Sequence, residues 1–128
     1  MKKTILLVDD EINILDIQNR YLIQAGYDVL VAHDGKEGLE LFRKKSIDLI
    51  ITDIMMPNMD GYDFISEVQY IAPNQPFLFT TAKTSEQDKI YGLSLGADDF
   101  IVKPFSPREL VLRVNNILRR LSRGGEIE

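Results

Sequence analysis

The sequence predicts an α/β fold: one domain of five parallel strands, each followed by a helix. Three observations predict it. Short apolar runs alternate with segments of helical period, the pattern of a sheet covered on both faces. The runs at 4–8, 47–52, 76–80 and 99–102 are nearly continuous in Leu, Ile, Val and Phe, as strands buried on both sides should be. Those four runs end in residues suited to phosphate or metal chemistry: Asp9-Asp10, Asp53, Thr81 and Lys103.

Taken in order, the first strand (4–8) leads into a helix that Asp10 can cap. Its apolar stripe is Ile14, Leu15, Ile17, Tyr21 and Leu22, and Gly26 follows its end. The second strand (28–32) has polar flanks and is expected at an edge. Asp34 and Glu37 form a capping-box pattern for the second helix, which carries Leu39, Leu41 and Phe42. After the third strand (47–52), Pro57-Asn58 and Asp60-Gly61 mark turns. The third helix then buries Phe64, Ile65 and Val68 and stops before Pro73. The fourth strand (76–80) precedes a helix with a Thr84/Gln87 capping box, ended by Gly96. The fifth strand (99–102) is followed by Ser106 at a cap, Pro107 at the first helical position and Glu109 at the third. That last helix carries Leu110, Val114, Ile117, Leu118 and Leu121 at helical spacing. The expected unit is residues 1–121; residues 122–128 read as a frayed tail or the start of a linker. Right-handed crossovers to both faces favour the flavodoxin-type order 2-1-3-4-5.

Composition narrows the function. A chain of 128 residues with 45% hydrophobic and 27% charged residues has the make-up of a soluble domain. No apolar run approaches the ~20 residues of a membrane span. The apolar run after Met1-Lys2-Lys3 is too short for a secretory signal and ends in two aspartates. A cytoplasmic location is therefore expected. The lack of cysteine excludes disulfides, thiol nucleophiles and thiolate metal sites. The formal net charge of −5 disfavours nucleic acid as a direct partner. Arg108, Arg113, Arg119, Arg120 and Arg123 gather near the end, where the dipole of the last helix favours basic side chains.

In a parallel sheet all carboxyl ends share one edge, and ligands bind in the crevice outside it. Asp9, Asp10, Asp53, Thr81 and Lys103 would therefore meet there, although some are far apart in sequence. Adjacent aspartates after a strand commonly act as caps, but one cap needs one acid. Carboxylates ~4–6 Å apart repel by roughly 3–4 kcal/mol per pair at an effective dielectric near 20, and a cation offsets that. A few hard oxygen ligands with room for water and phosphate oxygens suit Mg²⁺. Asp53 is the candidate nucleophile, since a carboxylate can accept a phosphoryl group as an acyl phosphate. A lysine at a buried strand end needs a partner for its ammonium, and Pro104, whose bond to Lys103 is a candidate cis bond, fixes how Lys103 is aimed.

Val8-Asp9-Asp10-Glu11, Thr52-Asp53-Ile54-Met55-Met56-Pro57 with Asp60-Gly61, Thr80-Thr81-Ala82, and Gly96 through Phe105 together resemble the receiver domain of bacterial two-component response regulators. The resemblance runs from about Lys3 to Arg120 and implies the CheY-like fold. It implies that Asp53 takes a phosphoryl group from a sensor histidine kinase in a Mg²⁺-dependent step. It also implies that Asp10 and Asp53 bind the metal, with Asp9 acting mainly through water and the Met55 carbonyl adding a ligand. Lys103 and the Thr81 hydroxyl would hold phosphoryl oxygens, and the domain would catalyse its own phosphorylation and slow dephosphorylation. Met55 and Lys83 resemble positions that tune the phosphoryl lifetime. Thr81 and Phe100 would form the switch, with Phe standing where the family often has Tyr.

Gly96-Ala97-Asp98-Asp99 and the last helix are similar to the OmpR/PhoB group, which dimerises through its fourth helix, fifth strand and fifth helix and carries a DNA-binding output domain. That implies Asp98 and Asp99 facing Arg113 and Arg120 in a homodimer. Glu109 pairs in that group with a basic residue; Tyr91 stands at the matching place, with Lys89 half a turn away, so a weak dimer is expected. The alternative is a stand-alone receiver of the CheY type, acting by protein contact alone. An aspartyl-phosphate phosphatase of the haloacid dehalogenase type is disfavoured, because a D-x-D motif after the first strand and a lid domain are both missing.

Overall fold

The computed structural model describes residues 2–82 and 86–127, with side chains described as far as Ser122. Five strands alternate with five helices: β1 (Thr4–Val8), α1 (Ile12–Gln24), β2 (Asp28–Ala32), α2 (Gly35–Lys44), β3 (Leu49–Asp53), α3 (Gly61–Ile71), β4 (Phe77–Thr81), α4 (Glu86–Ser94), β5 (Asp99–Val102) and α5 (Pro107–Ile127). The strands are all parallel, in the order β2-β1-β3-β4-β5. This is the expected topology, and β2 is the expected edge. Among the described residues no helix is long and apolar enough to cross a membrane.

Alternating strand side chains feed two cores. On one face Leu6, Val8, Ile50, Phe77, Phe79 and Phe100 pack against Leu39 of α2 and Phe64, Ile65 and Val68 of α3. On the other, Ile5, Leu7, Leu49, Ile51, Leu78 and Ile101 pack against Leu15 and Leu22 of α1 and Leu110, Val114, Ile117 and Leu118 of α5. At roughly 1.5–3 kcal/mol per buried large apolar side chain, these layers supply most of the drive to fold.

The caps show where local chemistry set the helix starts. Asp34 accepts from the Glu37 amide at 2.8 Å, and Glu37 returns to the His33 amide at 2.9 Å, one residue upstream of the reciprocal capping-box bond. Asp60 accepts from the Asp63 amide at 2.9 Å and Ser106 from the Glu109 amide at 3.1 Å. The chain leaves α1 and α4 through Gly26 (φ 100°) and Gly96 (φ 97°), a backbone region costly for other residues.

Several expectations need correcting. Asp10 does not cap α1: Glu11 holds the cap position, and Asp9 accepts the Glu11 amide instead. The helical period buries Gln18 with Leu15 and Leu22 and leaves Ile17 47% exposed. β3 starts at Leu49 rather than at 47, because Asp48 turns back to the Thr4 amide at 2.7 Å. It runs on to include Asp53. β4 starts after Pro76, which has no amide to give the ladder, and includes Thr81. α5 keeps its helical path past Leu121, which is itself exposed. Lys83 and the expected capping box at Thr84 lie outside the described residues.

Candidate functional site

The pairing of β1 with β3, β3 with β4 and β4 with β5 brings the strand ends to one edge, with Val8 level with Thr52, Asp53 with Thr80 and Thr81 with Val102. The residues just beyond, or at, those ends are Asp9, Asp53, Thr81 and Lys103. Asp9, Asp53 and Thr81 are buried, Lys103 is half-buried, and Asp10 is exposed. One carboxylate oxygen from each of Asp9, Asp10 and Asp53 lies within 4.8 Å of the others.

Lys103 ties the group together. Its Nζ donates to Asp9 Oδ2 at 2.8 Å and stands 3.6 Å from Asp53 Oδ2. Its amide donates to the Thr81 carbonyl at 2.7 Å, and the Lys103-Pro104 bond is cis. Burial lowers the lysine's proton affinity, but the Asp9 hydrogen bond and the Asp53 and Asp9 charges outweigh it, so its pKa is raised and the ammonium persists. Asp53 behaves oppositely. Burial lifts its pKa to about 6; Lys103 opposes the rise, while Asp9 and then Asp10 add to it.

Asp53 is fixed from several sides. Asp53 Oδ1 accepts from the Ile54 amide at 2.9 Å, and the Thr52 hydroxyl donates to the Asp53 carbonyl at 2.9 Å. Gly61 donates its amide to the Ile54 carbonyl at 2.8 Å. A Cβ on Gly61 would stand 2.3 Å from the Asp53 carbonyl oxygen and 2.8 Å from Ile54 Cα, so only glycine lets the start of α3 come this close. Thr52 and Gly61 were not among the site residues the sequence suggested. Asp60-Gly61 read as a turn, and nothing in the sequence reported the close approach.

A divalent cation fits this donor set. The clustered ligands are carboxylate oxygens, and their mutual repulsion calls for positive charge beyond the single lysine. Two are buried and one exposed, an arrangement that leaves the solvent side to water and phosphate oxygens, as Mg²⁺ prefers. Met55, whose carbonyl the resemblance assigned to the metal, has a side chain 54% exposed on the loop after β3.

Phe100 is buried, its ring 6.3 Å from that of Phe79. Gly92 of α4 lies against it: a Cβ there would meet the ring at 2.9 Å. Asp98, Asp99, Glu109 and Arg113 of the expected dimer face have partners within the chain. Arg113 donates to both Asp99 oxygens at 2.9 Å and to Glu109 Oε2 at 2.9 Å. Asp98 accepts from the Phe77 amide at 3.3 Å; burial raises its pKa, and the Arg120 charge opposes that. Lys89 and Tyr91 are exposed on α4, and Tyr91 stacks edge-on against Tyr62.

The chain matches the family model described as response regulator receiver domain over residues 5–115. It is 51% identical over 119 residues to the response regulator SaeR of Staphylococcus epidermidis and 49% identical to that of Staphylococcus aureus, covering 93% of this chain and 52% of each relative. It thus spans about half the length of these curated relatives. Among solved structures, a CheY-like response regulator receiver domain protein from Methanospirillum hungatei superposes with a TM-score of 0.90 at 30% identity, covering 97% of this chain and 99% of that one. A response regulator receiver domain protein from Clostridium thermocellum gives 0.86 at 32% identity, covering 94% and 97%.

Proposed function

Since the chain belongs to the response regulator receiver domain family, and so is the receiver of a two-component response regulator, we propose that Asp53 is its phosphoacceptor. A carboxylate oxygen of Asp53 attacks the phosphorus of a phosphohistidine on a sensor kinase. The P–N bond breaks, the imidazole leaves with the electron pair, and an acyl phosphate forms. Phosphoryl transfer asks a protein mainly for position and charge neutralisation. Lys103, already bridging Asp9 and Asp53, supplies a fixed positive charge for the phosphoryl oxygens. Thr81, at the end of β4, offers its hydroxyl to a second oxygen. Asp9, Asp10, Asp53 and the Met55 carbonyl would hold Mg²⁺, which supplies the remaining charge neutralisation. The observation that carries this reading is the meeting of three carboxylates and the Lys103 ammonium at one sheet edge.

Phosphorylation adds roughly two negative charges and three acceptors. Thr81 moves toward them, and the change passes to α4, β5 and α5. Phe100 is already inside, so the motion left to make belongs to Thr81 and α4. That face then forms a homodimer and controls a DNA-binding output domain. Support for the output domain comes from relatives about twice as long as this chain and from the OmpR/PhoB resemblance.

The test is labelling with a small phosphodonor in Mg²⁺. The wild type should take up an acid-stable, base-labile label, and Asp53→Asn should take up none. A label of that kind retained by the Asn variant assigns the acceptor elsewhere.

A further inference from the structure

α4 is poorly seated on the sheet. Among its described residues only Gly92 is buried, while Ile90, Tyr91 and Leu93 are 60%, 50% and 43% exposed. An element that buries so little gains little from the core and is easily displaced. Two side chains of α3 tie it down. Tyr62 and Gln69, two turns apart on one face of α3, reach opposite ends of α4. The Tyr62 ring is edge-on to Tyr91 at 4.8 Å and to Phe79 of β4 at 5.3 Å, and its hydroxyl donates to the Asp88 carbonyl at 3.4 Å. Gln69 Nε2 donates to the Leu95 carbonyl at 2.7 Å, one of the acceptors left over where α4 ends.

We propose that Tyr62 and Gln69 of α3 form a two-point latch that sets the resting position of α4, and with it the threshold at which the α4–β5–α5 face responds to a phosphoryl group. An aromatic edge contact and a neutral hydrogen bond each contribute modestly, and together they are of the size that separates the conformers of a two-state element. Gly92 couples the latch to the switch: the Phe100 ring lies so near that a Cβ on Gly92 would meet it at 2.9 Å, so α4 cannot move closer to the sheet there without displacing that ring. The threshold part of the proposal rests on the phosphoacceptor reading above; the latch itself does not.

The test uses Gln69→Ala, Tyr62→Leu and the pair, with Tyr62→Phe as the variant that keeps the ring; both positions lie on α3, outside the face whose association is read. Amide hydrogen exchange without phosphoryl mimic reads the latch. Exchange in α4 should accelerate at least tenfold in the double variant, with β1 and β3 unchanged, and Tyr62→Phe should stay close to the wild-type rate. Titration with beryllium fluoride in Mg²⁺, read by light scattering, should show the half-response concentration falling several-fold in the double variant. Unchanged α4 exchange overturns the latch. Faster α4 exchange with an unmoved half-response overturns its control of the threshold. A wild type indifferent to beryllium fluoride counts against the phosphoacceptor reading instead, and the exchange result then decides the latch alone.

Discussion

Replacing Asp53 with Asn should stabilise the metal-free protein at neutral pH. Asp53 is buried, and its pKa stands at about 6 against an ordinary 3.8. Each pKa unit is worth about 1.4 kcal/mol, so holding the ionised carboxylate in this pocket costs the fold about 3 kcal/mol. Asn keeps the shape without the charge, though Lys103 then loses one of its two anionic neighbours, which offsets part of the gain. A net stabilisation of about 1–2 kcal/mol remains. The sign follows from proton linkage. A carboxyl group whose folded pKa is raised binds more protons in the folded state, so its penalty is absent below about pH 4, grows between about pH 4 and 6, and is complete above. Urea unfolding in chelator at pH 7.5 and pH 4.5 measures both points. The advantage of Asp53→Asn should be full at the higher pH and under about 1 kcal/mol at the lower. An Asn variant no more stable than the wild type at pH 7.5, or a gap that does not close on acidification, refutes the claim that Asp53 is a strained anion.

Two further outcomes are expected. Gly61→Ala should cost more than about 3 kcal/mol, since the new methyl meets backbone rather than a yielding side chain; a melting temperature within a degree or two of wild type would mean that α3 relaxes away. Arg113→Met should change stability by less than about 1 kcal/mol, because its ion pairs with Asp99 and Glu109 are partly exposed, and a larger loss in urea unfolding would show that Arg113 holds β5 against α5.

The strand-end residues were legible because parallel topology turns sequence order into spatial convergence. Once the apolar runs at Leu6, Ile50, Leu78 and Ile101 read as neighbouring strands, Asp9, Asp53, Thr81 and Lys103 had to share an edge. The caps at Asp34 and Ser106 were legible for a local reason, as each uses a short oxygen three residues from an unpaired amide; Asp60, read only as part of a turn, caps α3 by the same geometry. What stayed hidden depends on tertiary distance. Gly61 reads as half of a turn until Asp53 is seen pressed against it. Gln18 is polar, yet the helical period carries it inward between Leu15 and Leu22, and Ile17 is left outside by the same geometry. Asp10 read as the cap of the first helix until the structure put Glu11 at that position and directed Asp9 to the Glu11 amide.

That Asp9 carboxylate divides its attention. One oxygen receives the Glu11 amide at the start of α1, and the other receives the Lys103 ammonium from the far side of β3 and β4. Magnesium held there would compete with both bonds at once. It would then bear together on the entrance of the first helix and on the loop before the last one, two helices that share one face of the sheet, before any phosphoryl group arrives.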